Sequence, residues 1–204
     1  MAQLCHGEKP PDSRVGLSFG AFRSRLSFAE RGFLDIEEMA LGASFEKKLS
    51  KRVTLQVSGG GIAYARVGGP GAEVLRGLFA GVGASWSIVD QKGAIPFVML
   101  GASLAVSLAV PSRGGDDALY AADVRGSVTA GYTFAQRFTP YLVGRAFGGP
   151  VIAVEGGRSD VGTDIYHFQV GAGFVVGLPA GFDLSVELVP LGEQRVSAGI
   201  GYSF

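Results

Sequence analysis

Apolar residues occupy every second position through most of this chain. Over its last ten residues the apolar set is Val196, Ala198, Ile200, Tyr202 and Phe204, with arginine, serine and glycine between. A period of two over ten residues indicates a β-strand with one apolar face. The same period recurs nine more times between turn residues, so the sequence predicts ten strands and no helix. The predicted strands are 14–22, 39–46, 52–64, 75–89, 94–110, 122–134, 140–147, 166–176, 182–188 and 195–204.

The longest uncharged run, residues 94–110, follows the same rule. It is shorter than the roughly 20 residues that a transmembrane helix needs. Val98 and Leu100 share one parity, whereas Gly101 and Ser103 share the other. We therefore expect a strand in this run.

The links between the predicted strands differ in length in a regular way. Those after strands two, four, six and eight are tight turns, at K-K-L-S-K, D-Q-K-G, A-Q-R-F and P-A-G. Those after strands one, three, five and seven are longer, and the longest covers residues 149–164; the link after strand nine departs from this pattern. Such an alternation is typical of membrane barrels. The predicted fold class is therefore all-β, an up-and-down antiparallel transmembrane β-barrel of ten strands, with eight strands as the alternative.

Composition decides which face of the barrel points outward. The chain contains 33 glycines in 204 residues, yet its mean hydropathy is +0.30. The face between the apolar positions is largely glycine and serine, which makes a poor surface for water but suits the crowded interior of a narrow barrel. The apolar face carries no charge in mid-strand and is expected to contact lipid.

Aromatic residues are expected to form two rings, one at each membrane interface, as in membrane barrels. At the short-turn end these are Phe45, Trp86, Phe97, Tyr132, Phe134, Tyr141, Phe182, Tyr202 and Phe204. At the long-loop end they are Phe28, Tyr64, Phe79, Tyr120, Phe147, Tyr166 and Phe168.

From Arg14 onward the chain resembles a small bacterial outer-membrane β-barrel protein. In that class the last strand ends in phenylalanine, with apolar or aromatic residues at alternate positions before it. Val196, Ala198, Ile200, Tyr202 and Phe204 match this pattern position by position. The resemblance implies an outer-membrane location and recognition of these residues by the barrel-assembly machinery. It also implies that the last strand closes the barrel against the first.

The interior face of the predicted barrel carries charges of both signs. They are Arg14, Arg52, Arg125, Arg145 and Arg195, against Glu46, Asp123, Asp183 and Glu187. Charges in a narrow lumen must be paired or hydrated. They predict either a salt-bridged plug in a barrel that acts as a structural or surface-interaction protein, or a narrow passive pore for small solutes. No ring of a single sign is visible, so strong ion selectivity is not predicted.

Candidate catalytic groups cluster around the longest link. His167 is expected to face inward below it, with Asp160 and Asp164 nearby and the pair Asp116-Asp117 in another loop. This arrangement faintly resembles the omptin outer-membrane proteases, whose Asp and His are two positions apart. Here Asp164 and His167 are three apart, the acids of the pair are adjacent, and the chain is much shorter than an omptin. The His-Ser motif of lipid A deacylases is absent. We expect no enzymatic activity.

The remaining segments predict tails, loops and partners. Residues 1–13 are polar and interrupted by proline, so we expect a flexible periplasmic tail before a single barrel domain at 14–204. No apolar signal segment is present, which indicates a mature chain with an added methionine. A single cysteine excludes an internal disulfide, and Cys5 beside His6 does not make a metal site, so no cofactor is predicted.

Partners follow from the loops and from the charge. The loops G-G-P-G-A-E and S-R-G-G-D-D suit contact with lipopolysaccharide or with a surface or periplasmic protein, in addition to the lipid of the outer membrane. Eighteen basic side chains balance eighteen acidic ones, so nucleic acid is not an expected partner.

Overall fold

The computed structural model describes residues 12–68, 72–112 and 117–204. Within these residues it contains twelve β-strands and one short 3-10 turn. The strands are β1 (Ser13–Phe28), β2 (Gly32–Lys48), β3 (Val53–Val67), β4 (Val74–Val89), β5 (Phe97–Pro111), β6 (Ala118–Gly131), β7 (Phe138–Gly148), β8 (Pro150–Glu155), β9 (Arg158–Asp164), β10 (Phe168–Gly177), β11 (Phe182–Leu191) and β12 (Gln194–Ser203). The predicted tail, residues 1–13, lies outside the described residues except for its last two. No described helix is long and apolar enough to cross a membrane.

Ten of the strands close into one antiparallel barrel. Each pairs with its neighbours along the chain, except that β7 pairs with β10 and β12 returns to β1. At the seam, the Ser13 amide donates to the Phe204 carbonyl at 3.1 Å, and the Phe204 amide donates back at 2.9 Å. Both edges of the last strand are therefore paired, which is how a strand can continue to the end of the chain. The predicted ten-stranded up-and-down barrel is confirmed.

The first strand shows how the apolar face changes sides along the barrel axis. We call the short-turn end of the barrel its lower end and the long-link end its upper end. In the lower half of β1 the outward side chains are apolar, as at Leu17, which is 64% exposed. In its upper half the outward side chains are Arg23 and Arg25, whereas Leu26 and Phe28 are buried inside. The parity of the strand does not change; only the chemistry of its two faces is exchanged.

This exchange marks the edge of the membrane. Below it, the surroundings of the wall are lipid and the apolar side chains point outward. Above it, the surroundings are water, so the apolar side chains point inward. In membrane barrels the long links are on the extracellular side. Because the long links of this chain lie above the edge, the edge is the extracellular boundary of the membrane.

Strands β1 and β2 consequently extend well beyond their predicted ends. Residues 23–38 were expected to form a link, yet they continue the same ladder to a turn at residues 29–31, with pairs such as Arg25↔Asp35. The expectation of a long loop here is wrong. The apolar alternation on the outward face stops at the membrane edge, while the backbone pairing does not.

The prediction that the longest link, residues 149–164, is a loop is also wrong, because these residues form the hairpin β8–β9. Strand β8 continues β7 along β6, with pairs Val124↔Gly148 and Ala121↔Val151 in one register. Gly149 sits at the junction, where a Cβ atom would overlap the Ala122 carbonyl oxygen. Only glycine therefore fits at this close approach.

The hairpin closes a second ring above the first. Strand β9 pairs with the upper end of β1, as at Ser27↔Thr163, and β8 pairs with β6. Strands β1 to β6 with β8 and β9 thus form an eight-stranded upper ring above the short β11–β12 turn. Its interior is an apolar core of buried side chains: Leu26, Phe28, Ile36, Ile62, Ala65, Ala109, Leu119, Val151 and Ala153.

The two predicted aromatic rings are confirmed only in part. Phe45, Trp86, Phe134, Phe182, Tyr202 and Phe204 are exposed at the short-turn end, and Tyr120, Tyr166 and Phe168 at the other. Phe28, Phe97, Tyr141 and Phe147 are instead buried inside the barrel, and Phe79 packs against the upper core. The prediction from the sequence used only the height of each aromatic residue along the barrel. It did not use the strand parity, which turns these side chains inward.

The position of the membrane edge can be tested with two arginine substitutions at outward valine and leucine positions. Leu104 lies in mid-strand on β5 and is 48% exposed, whereas Val161 lies on β9 and is 54% exposed. We expect Leu104→Arg to lower the free energy of unfolding by about 2–4 kcal/mol, because the charge enters lipid. Val161→Arg should change it little, since that face contacts water. Urea titration in lipid vesicles, followed by the fluorescence of Trp86, measures both; equal losses would contradict the proposed edge.

Candidate functional site: the charged lumen

The structure places most of the predicted lumen charges inside the ten-stranded ring and excludes one of them. Arg52 lies in the turn between β2 and β3 with an exposed side chain. It precedes the first residue of β3, so strand parity does not direct it inward, and its assignment to the lumen is wrong. The others lie on the inward parity of their strands: Arg14, Glu46, Asp123, Arg125, Arg145, Asp183, Glu187 and Arg195.

The lower group centres on Arg14, which bridges three strands near the periplasmic end. Its guanidinium donates through Nη1 to the Glu46 carboxylate at 2.7 Å. It also donates through Nη2 and Nε to both oxygens of Asp183, at 2.7 and 3.0 Å. This bidentate geometry is the strong form of an arginine–carboxylate pair. It links β2, β1 and β11 across the seam where the barrel closes.

Glycine makes room for this group. A Cβ atom at Gly201 would overlap the Arg14 guanidinium, so a larger residue there would displace the arginine from its partners. The glycine-rich inward face therefore provides the volume that a charged side chain occupies.

The upper group is a chain of polar contacts along the inner face of the neighbouring strands β6, β7, β10 and β11. The Arg145 Nη2 donates to Glu187 at 2.8 Å, and the Tyr141 hydroxyl donates to the same carboxylate oxygen at 3.1 Å. The other side of the Arg145 guanidinium donates to the Gln169 amide oxygen at 3.4 Å. The Gln169 amide nitrogen then donates to Glu193 at 2.6 Å.

The chain of contacts ends at Arg125. This guanidinium lies 3.7 Å from the Glu193 carboxylate and 2.8 Å from that of Asp123, its neighbour on β6. It is also stacked 4.9 Å from the centre of the Phe147 ring, which is a favourable cation–π arrangement. The upper group thus ties together β6, β7, β10, β11 and the β11–β12 turn.

Four inward polar residues were not predicted as site residues, and the first three of them belong to the upper group. Tyr141 was assigned to an aromatic ring, and Glu193 was placed in a link. Gln169 was part of the inward polar set of its strand, which is the signal that could have identified it. Glu38 lies inward on β2, in the stretch that was expected to be a link.

Arg195 differs from the other lumen arginines. It is partly buried, and among the described residues no carboxylate lies within ion-pair distance of its guanidinium. Glu193 and Glu187 attract it electrostatically, while Arg125 and Arg145 repel it. Arg195 therefore belongs to the charge balance of the lumen without a direct hydrogen-bonded partner.

Glu193 is the carboxyl group that reaches into the lumen from the β11–β12 turn. Burial raises its pKa above the usual range, and the positive charges of Arg125 and Arg195 limit that rise. With Glu38 and Glu193 included and Arg52 removed, the lumen charges named in this subsection number four basic and six acidic. Both signs occur side by side, as for Arg14 with Glu46 and Asp183, and these ten residues form no ring of one sign.

A polar cavity of about 260 Å³ remains beside these groups. Glu46, Gln56, Thr129, Arg125 and Arg145 are among the residues that line it. It lies in the ten-stranded ring, below the apolar core of the upper ring.

The candidate catalytic acids are engaged in structural contacts. Asp164 accepts hydrogen bonds from the Ser24 hydroxyl at 2.6 Å and the Tyr166 amide at 2.7 Å. Asp160 accepts from the Glu30 amide at 3.2 Å. These contacts fasten the β8–β9 hairpin to β1 and to the β1–β2 turn.

His167 lies between β9 and β10, and its ring is exposed rather than turned into the barrel as expected. No hydrogen bond joins the ring to a carboxylate among the described residues. Asp117 accepts from the Gly156 amide at 3.1 Å, and Asp116 lies outside the described residues.

The structural role of Arg14 can be tested against that of Arg52. We expect Arg14→Met to lower the free energy of unfolding by about 3–5 kcal/mol, because it leaves buried Asp183 without its partner. Arg52→Met should leave stability nearly unchanged, since that side chain is in water. Urea titration in lipid vesicles measures the free energy of unfolding of both variants. If Arg14→Met and Arg52→Met had the same free energy of unfolding, the contacts of Arg14 would not stabilise the barrel.

Comparison with known proteins agrees with this architecture. The outer membrane protein OprG from Pseudomonas aeruginosa superposes with a TM-score of 0.51 at 10% identity, over 95% of this chain and 96% of its own. The translocator domain of the autotransporter NalP from Neisseria meningitidis has a TM-score of 0.52 at 12% identity, over 97% and 90%. The outer membrane protease OmpT from Escherichia coli has a TM-score of 0.51 at 10% identity, over 96% and 98%.

No protein family and no curated protein sequence matches the chain. Likeness to solved structures at such low identity concerns the fold alone. The chain has the fold of bacterial outer-membrane β-barrels, and the apolar outward band of the ten-stranded ring agrees with a membrane location.

Proposed function

We propose that the protein is a closed outer-membrane barrel that acts as a structural element and presents an external surface to a partner. The observation that carries this proposal is the apolar core of the upper ring. Its side chains come from six different strands and are at most 9% exposed, as for Phe28 at 3% and Ala65 at 0%. A packed apolar core leaves no hydrated path for a solute.

The charged groups below the core support the same proposal. The contacts from Tyr141 to Asp123 occupy the lumen along β6, β7, β10 and β11, and the Arg14 group crosses the barrel seam. Ten strands also enclose far less space than the 16 to 18 strands of aqueous porins. The polar cavity of about 260 Å³ favours the second candidate function, a narrow passive pore, because it provides hydrated volume in the lower lumen.

The external surface is the outward face of the upper ring. It includes the hairpin β8–β9, the extended ends of β1 and β2 and the turn between them, where Arg31 forms an ion pair with Glu155 of β8 at 2.7 Å. Paired strands hold these charges in fixed positions, which suits recognition better than a mobile loop does. A protein partner at the cell surface is the proposed ligand of this face.

We further infer that the protein is not a hydrolase. Asp160 and Asp164 are occupied by contacts that fasten the hairpin, and a catalytic base needs a nucleophile or water within hydrogen-bond reach. The OmpT protease shares the fold, but fold does not imply function.

Conductance in planar bilayers distinguishes a closed barrel from a pore. We expect purified wild-type protein to give no channels or only small intermittent ones. Removing two upper-core side chains, with Phe28→Ala and Leu119→Ala together, should produce measurable openings because water can enter the core. Phe33→Ala with Val161→Ala is the matched control, since both side chains are outward and exposed. Large, stable channels from the wild-type protein would overturn the proposal in favour of transport.

Turnover assays test the absence of hydrolase activity. Fluorogenic peptides and lipid A are incubated with folded protein in detergent, and no turnover above background is expected. Activity that the single change His167→Ala abolishes would instead establish an omptin-like enzyme.

A further inference from the structure

The outward wall of the barrel contains a groove where the chain passes the extracellular membrane edge. The groove has a volume of about 580 Å³ and crosses the outer faces of β11, β12, β1 and β2. Its floor is Ala21, which pairs with Val196 on one side and Met39 on the other. Leu188 continues the wall beyond Val196.

The groove exists because one outward residue of β1 is small. The outward series of this strand runs Val15, Leu17, Phe19 and then Ala21, with larger side chains beside the alanine on both neighbouring strands. The floor and lower walls are therefore apolar, and they continue the lipid-facing surface without a step. An acyl chain is the kind of ligand that such a surface accommodates.

The upper end of the groove is charged. Arg23 is the next outward residue above Ala21, and its side chain is 59% exposed. Its nitrogens lie 3.8 Å from the carboxylates of both Asp35 and Glu37, which is the outer limit of an ion pair. The guanidinium thus keeps donors that a further anion can use.

Arg66 provides a second set of donors beside the groove. Its Nη2 donates to Glu37 at 2.6 Å, but its buried Nε has no hydrogen-bond partner among the described residues. A buried donor without an acceptor is unfavourable unless something else accepts its proton. Tyr64, which lines the groove, lies beside this guanidinium, at 6.0 Å from ring centre to the guanidinium carbon.

The whole outward strip at this height has an excess of positive charge. Arg23, Arg25, Arg66 and Arg76 face outward on β1, β3 and β4, against two carboxylates, Asp35 and Glu37. Within the described parts of the chain, Arg76 has neither an ion pair nor a hydrogen bond to a side chain. Arginine binds phosphate with two parallel hydrogen bonds, so several arginines across three strands fit a headgroup with more than one phosphate.

We propose that this groove, which we name the lipid groove, is a binding site for the lipid A part of lipopolysaccharide. An acyl chain lies on Ala21 between Met39 and Val196, and the phosphates contact Arg23 and Arg66. The site stands at the height where the outward surface changes from apolar to charged, which is the depth of a lipid headgroup. It is independent of whether the lumen conducts, because all of its binding groups face outward.

The direct test is saturable binding of purified lipid A to folded protein in detergent, followed by native mass spectrometry. We expect one lipid A per wild-type protein at saturation. Ala21→Trp, which fills the groove, should weaken binding about tenfold or more, and so should Arg23→Gln with Arg66→Gln, because charge-assisted hydrogen bonds to phosphate are lost. Phosphatidylethanolamine, with one phosphate and a positive amine, should bind without saturation.

Two matched controls separate the groove from the rest of the wall. Ala102→Trp enlarges an exposed alanine on the outward face of β5, and Arg52→Gln removes a charge at the periplasmic turn. Both should bind lipid A as the wild type does, and heat-modifiable gel mobility verifies that every variant is folded. Equal loss with Ala21→Trp and Ala102→Trp, equal binding by all variants, or saturable binding of phosphatidylethanolamine with the wild-type affinity would each overturn the lipid groove.

Discussion

The structure depends on one constraint: apolar side chains must face away from water, and the water lies on different sides of the wall at different heights. In the ten-stranded ring, lipid surrounds the wall and apolar residues such as Leu17 and Leu104 point outward. In the upper ring, water surrounds the wall and Leu26 and Phe28 point inward. Strands such as β1 and β2 pass through both environments without a break. The same backbone therefore serves as a membrane wall at one end and as the wall of a conventional hydrophobic core at the other.

The narrow lumen follows from this constraint. Once the large apolar residues are outside, the inner face of ten strands has little room, and glycine and serine occupy most of it. The charges that remain must be paired, since the barrel interior solvates them poorly. Arg14 holds Asp183 and Glu46 together at the seam, and the chain from Tyr141 to Asp123 connects the neighbouring strands β6, β7, β10 and β11. The polar contacts and the apolar core thus fill the interior of the same barrel at two heights by two different kinds of packing.

The outward face is shaped by the same change of environment. Where the apolar band ends, arginines take over on neighbouring strands, and the small Ala21 leaves a depression just below them. A lipid with an apolar body and an anionic head matches that arrangement in both chemistry and height. The surface above it, on the β8–β9 hairpin and the upper β1–β2 ladder, is rigid because paired strands replace the loops that a barrel often carries there. The proposed lipid-binding and partner-binding surfaces would then lie at different heights on the outside of the barrel.

Strand periodicity alone predicted the ten-stranded ring, its outward apolar face and the inward position of Arg14, Arg125 and Arg145. This is possible because a strand with one side in lipid must repeat every two residues, so local chemistry reports orientation directly. The prediction from periodicity failed where one side of the strand no longer faces lipid. This holds at residues 23–28, where the two faces exchange, and at residues 149–164, which pair with strands far away in sequence. It also failed at Arg52, which lies one position before a strand begins.

The remaining features were decided by tertiary structure. Which carboxylate meets which arginine depends on the register between strands that lie up to 169 positions apart, as for Arg14 and Asp183. Glu193 enters the lumen because the β11–β12 hairpin is short, and the upper ring exists because β9 reaches β1. Sequence by itself determined the alternation of faces and therefore the membrane barrel. The charged groups of the lumen, the second ring and the groove on the outer wall required the closure of the sheet, since only closure brings those residues within contact distance.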